Sequence, residues 1–204
     1  MESIVLGKAK KLTHFNLLSS IVVERLIEKN GKIVSVQCVN KTTQERFEIQ
    51  GKLFILSAGA IHSPATLLRS HLQRFPQHKF IGRYLMRHCN AVIGGLFPFR
   101  TNPEKVFHKQ VCISDYYQDF RAQTGSATGI IQDIYTPAGE LFKHFTPKWL
   151  KPLAFINAYV QNLLCIAEDE PNYANRISLA NYQDHLSMPI IKIEHQYTLA
   201  DLKR

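Results

Sequence analysis

Hydrophobic and polar residues alternate most regularly between Ser20 and Ile49. Ser20–Leu26 (SIVVERL) is a short β-branched run and reads as a strand. Asn30-Gly31, within Glu28-Lys29-Asn30-Gly31, is a strong hairpin signal, because both central positions of the tightest turn need positive φ. Ile33, Val34, Val36, Cys38 and Val39 then form a second strand with near alternation. Lys41–Gln44 is a polar turn, and Arg46–Ile49 reads as a third strand. The pattern predicts a three-stranded antiparallel meander, too small to bury enough surface alone and so packed on something larger.

The pattern changes at Lys52-Leu53-Phe54-Ile55-Leu56, a nearly continuous apolar run that ends in Ser57-Ala58-Gly59-Ala60. Such a run predicts a strand buried on both faces, as in a parallel sheet. Ser63-Pro64 precedes ATLLRSHLQRF, so Ser63 is expected to cap a helix with Pro64 at its first position. Strand, small-residue turn and helix start together predict a place where a backbone approaches a ligand closely. Helix-start N–H groups there suit phosphate.

Beyond about residue 90, six segments look like strands: AVIGGLF, HKQVCISDYY, GIIQDIY, FINAYVQNLLCIA, NRISLA and PIIKIEHQY. Polar or Pro-containing turns separate them, and helical periodicity appears only at the tail. There Thr198 and Asp201 form a capping-box-like pair at a helix start.

Composition narrows the class. The chain has 204 residues, 45% hydrophobic and 20% charged, a globular balance of one full domain or two small ones. Cys38, Cys89, Cys112 and Cys165 lie far apart with no CxxC, which predicts reduced thiols in a cytoplasmic protein. The N-terminus places its basic residues after a short apolar run, unlike a secretory signal. The most apolar stretch, Leu153–Ala167, is broken by Asn157, Gln161 and Asn162, so no membrane span is expected.

The net charge of +9 is unevenly spread. Residues 1–60 contribute +4, residues 61–110 contribute +7 with Glu104 as their one acid, and residues 111–204 contribute −2. The middle segment also holds His62, His71, His78, His88 and His108. One reading is a basic, non-enzymatic binding module in which residues 61–110 hold an acidic partner or nucleic acid. No RNP aromatics, zinc finger or basic heptad helix accompanies the charge, so no nucleic acid is expected as partner.

Several motifs, in order along the chain, carry a resemblance. FILSAGAIHSPATLLRS (Phe54–Ser70) resembles the second signature of the glucose–methanol–choline (GMC) family of FAD-dependent oxidoreductases. SIVVERL is similar to the strand that opens that family's meander. IGRYLMRH (Ile81–His88) is similar to its Gly-Arg-Asn-Leu-Met-x-His passage, with Tyr84 where Asn is usual. KQVCISDYY (Lys109–Tyr117) and GIIQ (Gly129–Gln132) resemble substrate-domain strands, and EDEPNYANRISLA (Glu168–Ala180) with SMPIIKI resembles a later passage. Ser35 stands where the family often has Gly.

The resemblance implies an α+β fold in two parts. Residues 1–88 would be part of an FAD-binding domain, made of the meander, a buried strand and a helix. Residues 89–204 would be part of a substrate-binding domain built on an antiparallel sheet. It implies oxidation of a CH–OH group on an alcohol, polyol or sugar acid, with hydride transfer to flavin N5. FAD is the implied cofactor, and an alcohol-type small molecule the implied substrate. The implied cofactor contacts are the backbone of Val23, the turn Ser57-Ala58-Gly59, and Ser63.

The chain has no Gly-x-Gly, hence no dinucleotide fingerprint. The resemblance therefore implies an internal piece of a longer enzyme, inactive alone: a truncated gene model, a decayed gene, or a subunit whose partners are separately encoded remaining segments. None of the nine histidines falls at the family's catalytic position; His88 is expected to be structural, and no catalytic residue is assigned. No HxxxH or HExxH occurs, so no metal is expected. Asp133 with Glu140, and Glu168-Asp169-Glu170, read as solvated loop acids, and no Gly-x-Ser-x-Gly elbow supports hydrolase chemistry.

Overall fold

The computed structural model describes residues 2–104, 111–115, 117–124, 129–134, 143–144 and 147–202. His108, Lys109, Gln110, Tyr116, Tyr135 and Glu140 lie outside the described residues. The fold is mixed α/β with antiparallel sheets, and it divides into two compact units. The first joins Met1–Leu85 to Asn172–His195; the second joins Met86–Pro171 to Gln196–Arg204. The resemblance implies a division at residue 88; the compact units take Asn172–His195 together with the N-terminal stretch.

In the first unit a π-helical turn, Glu2–Leu6, runs into α1 (Gly7–Ala9). The meander follows as β1 (Ile21–Lys29), β2 (Lys32–Asn40) and β3 (Arg46–Gln50). Asn30 and Gly31 both take positive φ, 51° and 84°, which closes the two-residue hairpin that their sequence predicts. The central strand β2 is buried on both sides. Val36 and Cys38 cluster with Leu26, and Phe47, Phe54 and Leu67 pack against them. Val39 clusters instead with Leu186 and Met188. Period-2 alternation thus sends successive β2 side chains into two separate cores.

Helix α2 (Gly59–Arg69) packs on β1, and Ser70 fastens the joint. Its hydroxyl accepts the Leu26 N–H at 2.8 Å and donates to the Thr66 carbonyl at 2.6 Å. The hairpin of β8 (Arg176–Gln183) and β9 (Pro189–Glu194) completes the unit. Arg46 donates to the Leu186 carbonyl at 2.5 Å, and Arg69 to the Pro189 carbonyl at 2.9 Å.

Two expectations fail here. Residues 52–56 form no strand, and their burial is one-sided: Phe54 and Leu56 are half-buried, whereas Leu53 and Ile55 are 80% and 81% exposed. A strand buried on both faces needs partner strands, and this segment belongs to no described sheet. Helix α2 begins at Gly59 rather than at Ser63, so Ser63 and Pro64 lie inside it.

The second unit is a four-stranded antiparallel sheet in the order β4-β7-β6-β5. Its strands are β4 (Cys89–Leu96), β5 (Cys112–Ile113), β6 (Gly129–Ile134) and β7 (Val160–Ala167). Two segments expected as strands are strands only in part, at β5 and β7. Helix α3 (Tyr117–Thr124) occupies the end of the HKQVCISDYY segment. A 3₁₀ helix over Lys148–Tyr159 takes the first part of the Phe155–Ala167 segment, with Pro152 inside it. The tail helix α4 (Leu199–Leu202) carries the reciprocal capping box. Asp201 accepts the Thr198 N–H at 2.7 Å, and Thr198 accepts the Asp201 N–H at 3.1 Å.

Candidate functional site

The turn Ser57-Ala58-Gly59 is exposed and leads into α2. Gly59 has φ +75°, and nothing lies within 4 Å of where a Cβ would stand. Glycine is therefore required there by conformation, and the space over the turn is open. The first N–H groups of α2 have no partner within the helix, as at every helix start. Ser63 reaches back from the second turn, its hydroxyl accepting the Ala58 N–H at 3.0 Å. It thereby orders the turn from inside the helix, a position the expected cap did not foresee.

Val23 sits in β1, an edge of the three-stranded sheet, paired with Cys38. The register slips between Val23 and Arg25. A bulge at a sheet edge leaves backbone groups outside the ladder. The residues expected to meet FAD thus lie on two features, the start of α2 and the β1 edge. An adenine dinucleotide is compatible with both: the first offers N–H groups to phosphate and the second offers edge backbone to a base.

In the second unit, Val111, Ile113, Ile131, Asp133, Gln161 and Leu163 line an apolar groove of about 320 Å³ on the β5–β6–β7 sheet. Asp133 holds the strand end in place by accepting the Val111 N–H at 2.7 Å. It is therefore a structural acceptor as well as a groove residue, not the solvated acid that was expected. Glu168-Asp169-Glu170 lies in a loop, as expected, with Glu168 exposed, and the loop is also tied by hydrogen bonds. Asp169 accepts the Arg87 N–H at 2.8 Å, Glu168 accepts the Tyr117 hydroxyl, and the Glu170 N–H donates to Asp201 at 3.0 Å. His88 contributes its backbone, the carbonyl accepting the Tyr197 hydroxyl at 3.0 Å.

Burial perturbs two groups in the first unit. It pushes the Cys38 thiol up and pulls the Arg69 guanidinium down, the latter against the favourable charges of Asp184 and Glu24. Among the described residues, no three His, Cys, Asp or Glu side chains converge as a metal would need. No helix among them is long and apolar enough to cross a membrane.

Comparison with known proteins points to the class. Residues 2–90 match the family model described as GMC oxidoreductase. Over that stretch the chain is similar to the GMC oxidoreductases, a family whose N-terminal domain is its FAD-binding region. The chain is 32% identical, over 190 residues, to 2-methyl-1,2-propanediol dehydrogenase of Mycolicibacterium austroafricanum, a match covering 84% of this chain and 34% of that protein. It is 22% identical, over 192 residues, to 6'''-hydroxyparomomycin C oxidase of Streptomyces lividus, covering 87% of this chain and 32% of that protein. The chain thus spans about a third of the length of these relatives.

Proposed function

We propose that this chain supplies the adenine- and phosphate-side surface for FAD, together with a substrate-side sheet, in an oxidoreductase acting on CH–OH groups of alcohols, polyols or sugar acids. The observation that carries the reading is the open Ser57–Gly59 turn at the start of α2, inside the stretch that matches the GMC model. When bound, FAD supplies a hydride acceptor at its N5, so that the carbinol carbon becomes a carbonyl and its hydroxyl proton passes to a base.

This chain's residues hold and orient. The backbone at Val23 meets the adenine from the β1 edge. The N–H groups following Ser57-Ala58-Gly59 take the diphosphate, and Ser63 keeps that turn ordered through Ala58. The groove over β5, β6 and β7 offers an apolar wall with Gln161 and Asp133 as its polar members. No histidine of the chain is assigned the base, and general acid–base catalysis typically contributes about 10²–10⁴-fold. The 204 residues on their own are therefore proposed not to turn over alcohols.

Titration of the chain with FAD, followed by flavin fluorescence, tests the reading. Saturable quenching is expected, and Gly59→Val should abolish it, because a branched side chain at φ +75° projects into the space over the turn. Absence of quenching at millimolar FAD overturns the cofactor assignment. Reduction of a dye by 2-methyl-1,2-propanediol and FAD with this chain alone overturns its inactivity.

A further inference from the structure

In the first unit, the chain from Phe80 to Leu85 lies backbone to backbone against the start of β8. The Ile177 N–H donates to the Gly82 carbonyl at 2.7 Å, and the Leu85 N–H to the Asn175 carbonyl at 3.1 Å. A Cβ on Gly82 would stand 2.3 Å from the Ile177 carbonyl oxygen, so only glycine permits the approach. One consequence is electrostatic. Arg83 and Arg176 face each other in an antiparallel bridge. Like charges on opposing positions of a sheet destabilise it unless something answers them.

Arg176 is answered: its Nε lies 2.6 Å from Glu194. That carboxylate is fully engaged, since it also accepts from Ser178 at 3.2 Å and from Lys192 at 3.1 Å. Arg83 has no carboxylate among the described residues. Its guanidinium stacks 4.3 Å from the Tyr173 ring and makes a long 3.4 Å contact to the Tyr173 carbonyl. Lys79 likewise has no ion pair among the described residues and lies over the Phe80 ring at 5.1 Å. Lys79, Arg83 and Arg176 all line one groove of about 350 Å³, with Ile81, Ile177 and Leu179 among its apolar members.

We propose that this groove binds a small oxyanion, a carboxylate or phosphate carried on a compact apolar body. Lys79 and Arg83 are its counter-charges, and the ligand relieves the Arg83–Arg176 repulsion. Stacking on Tyr173 fixes the Arg83 fork, so little rotamer entropy remains to be lost when an anion arrives. The apolar lining selects a ligand with a ring or short chain over a bare ion. Because the groove is open and only partly desolvated, the affinity is modest and falls with salt. The proposal does not depend on the flavin reading, and its site shares no residue with the α2 turn.

The test is an amide-resolved NMR titration of the full chain with inorganic phosphate, phenyl phosphate and benzoate. Saturable shifts are expected in Lys79–Arg83 and Arg176–Leu179, with phenyl phosphate binding about tenfold more tightly than inorganic phosphate. A preference for phenyl phosphate over benzoate assigns the anion as phosphate, and the reverse as carboxylate. Arg83→Gln should weaken binding about tenfold or more. Lys79→Gln, on an exposed 3₁₀ turn, should weaken it several-fold, and it keeps the test decisive should the Arg83 variant fail to fold. The proposal is overturned by absence of saturation at about 20 mM probe, or by unchanged affinity in Lys79→Gln. Displacement of phenyl phosphate by FAD would overturn it too, as would binding of a duplex oligonucleotide whose affinity grows with length at these residues.

Discussion

The unit formed by Met1–Leu85 and Asn172–His195 and the unit formed by Met86–Pro171 and Gln196–Arg204 spend their apolar residues differently. In the first, Leu26, Val36, Cys38, Val39, Ala65, Ile177, Leu186 and Met188 are buried; in the second, Ala154 is the one described hydrophobic in that class. Every described residue of β6 and β7 is only half-buried, and the β4 edge strand exposes Val92, Ile93 and Leu96 at 58%, 58% and 70%. Both units have well-formed ladders. Backbone pairing alone therefore does not make a core: the first unit is held by side-chain burial on both faces of β2, the second chiefly by its hydrogen bonds.

The sharpest way to break that contrast uses the two glycines where chains cross closest. A methyl group at Gly129 (φ +140°) would stand 1.9 Å from the Ile166 carbonyl oxygen, and one at Gly82 (φ +78°) 2.3 Å from that of Ile177. Each Ala substitution should cost roughly 3 kcal/mol. In Gly82→Ala the first unit should weaken yet retain protected β1 and β2 amides. In Gly129→Ala, β6 and β7 should lose hydrogen-exchange protection altogether, because little burial stands in reserve. Intact β6–β7 protection in Gly129→Ala would refute the contrast. A pair of side-chain truncations measures the same difference more gently. Val39→Ala, at a fully buried position, should cost about 2 kcal/mol. Ile93→Ala, on the open edge, should stay within about 0.5 kcal/mol in urea melts.

Acid should also separate the units. The hydrogen bond from Arg176, joined by those from Lys192 and Ser178, holds the Glu194 carboxyl down to about 2 from its ordinary 4.5. A carboxylate with a depressed folded pKa stabilises the fold fully above its unfolded value and loses that contribution as pH falls towards the folded one. The β8–β9 hairpin should therefore loosen between pH 4.5 and about 2. Glu194 is solvated, so the effect is small, and Glu194→Gln should flatten it in a pH series of hairpin amide protection. An equal response in the Gln variant would assign the loosening to other carboxyls.

What could be read in the residues follows the same physics. Asn30-Gly31 and the Thr198–Asp201 box were legible because each is decided within four residues, by φ preference and by reciprocal capping. Lys52–Leu56 was misread because a continuous apolar run looks the same whether one face or two are covered. Only the register of Phe54 against the meander decides which. The start of α2 escaped because Ser63 satisfies the Ala58 N–H from inside the helix, which its spacing from Pro64 does not reveal. The basic excess of residues 61–110 was plain. Its focus was not, since Arg83 meets Arg176 only through the Gly82–Ile177 contact.

Tyr84 offers the smallest and most local test of how the first unit is held. Its φ of +57° is left-handed, a region that Asn tolerates and bulky residues avoid. That gives a physical reason for the Asn usual at this place in the GMC passage. Tyr84 recovers part of the cost through an edge-to-face contact with Tyr173, centroids 5.6 Å apart, although it remains 42% exposed. Two variants separate the terms. Tyr84→Asn loses the ring contact and gains backbone ease, so its stability should lie within about 0.5 kcal/mol of the parent. Tyr84→Ala loses the contact without that gain and should fall below Tyr84→Asn by roughly 0.5–1 kcal/mol. Equal stability of the two variants would show that the ring contact, and not the left-handed turn, governs this position. The Arg83 guanidinium, stacked on the same Tyr173 ring, would then be expected to shift in both variants alike.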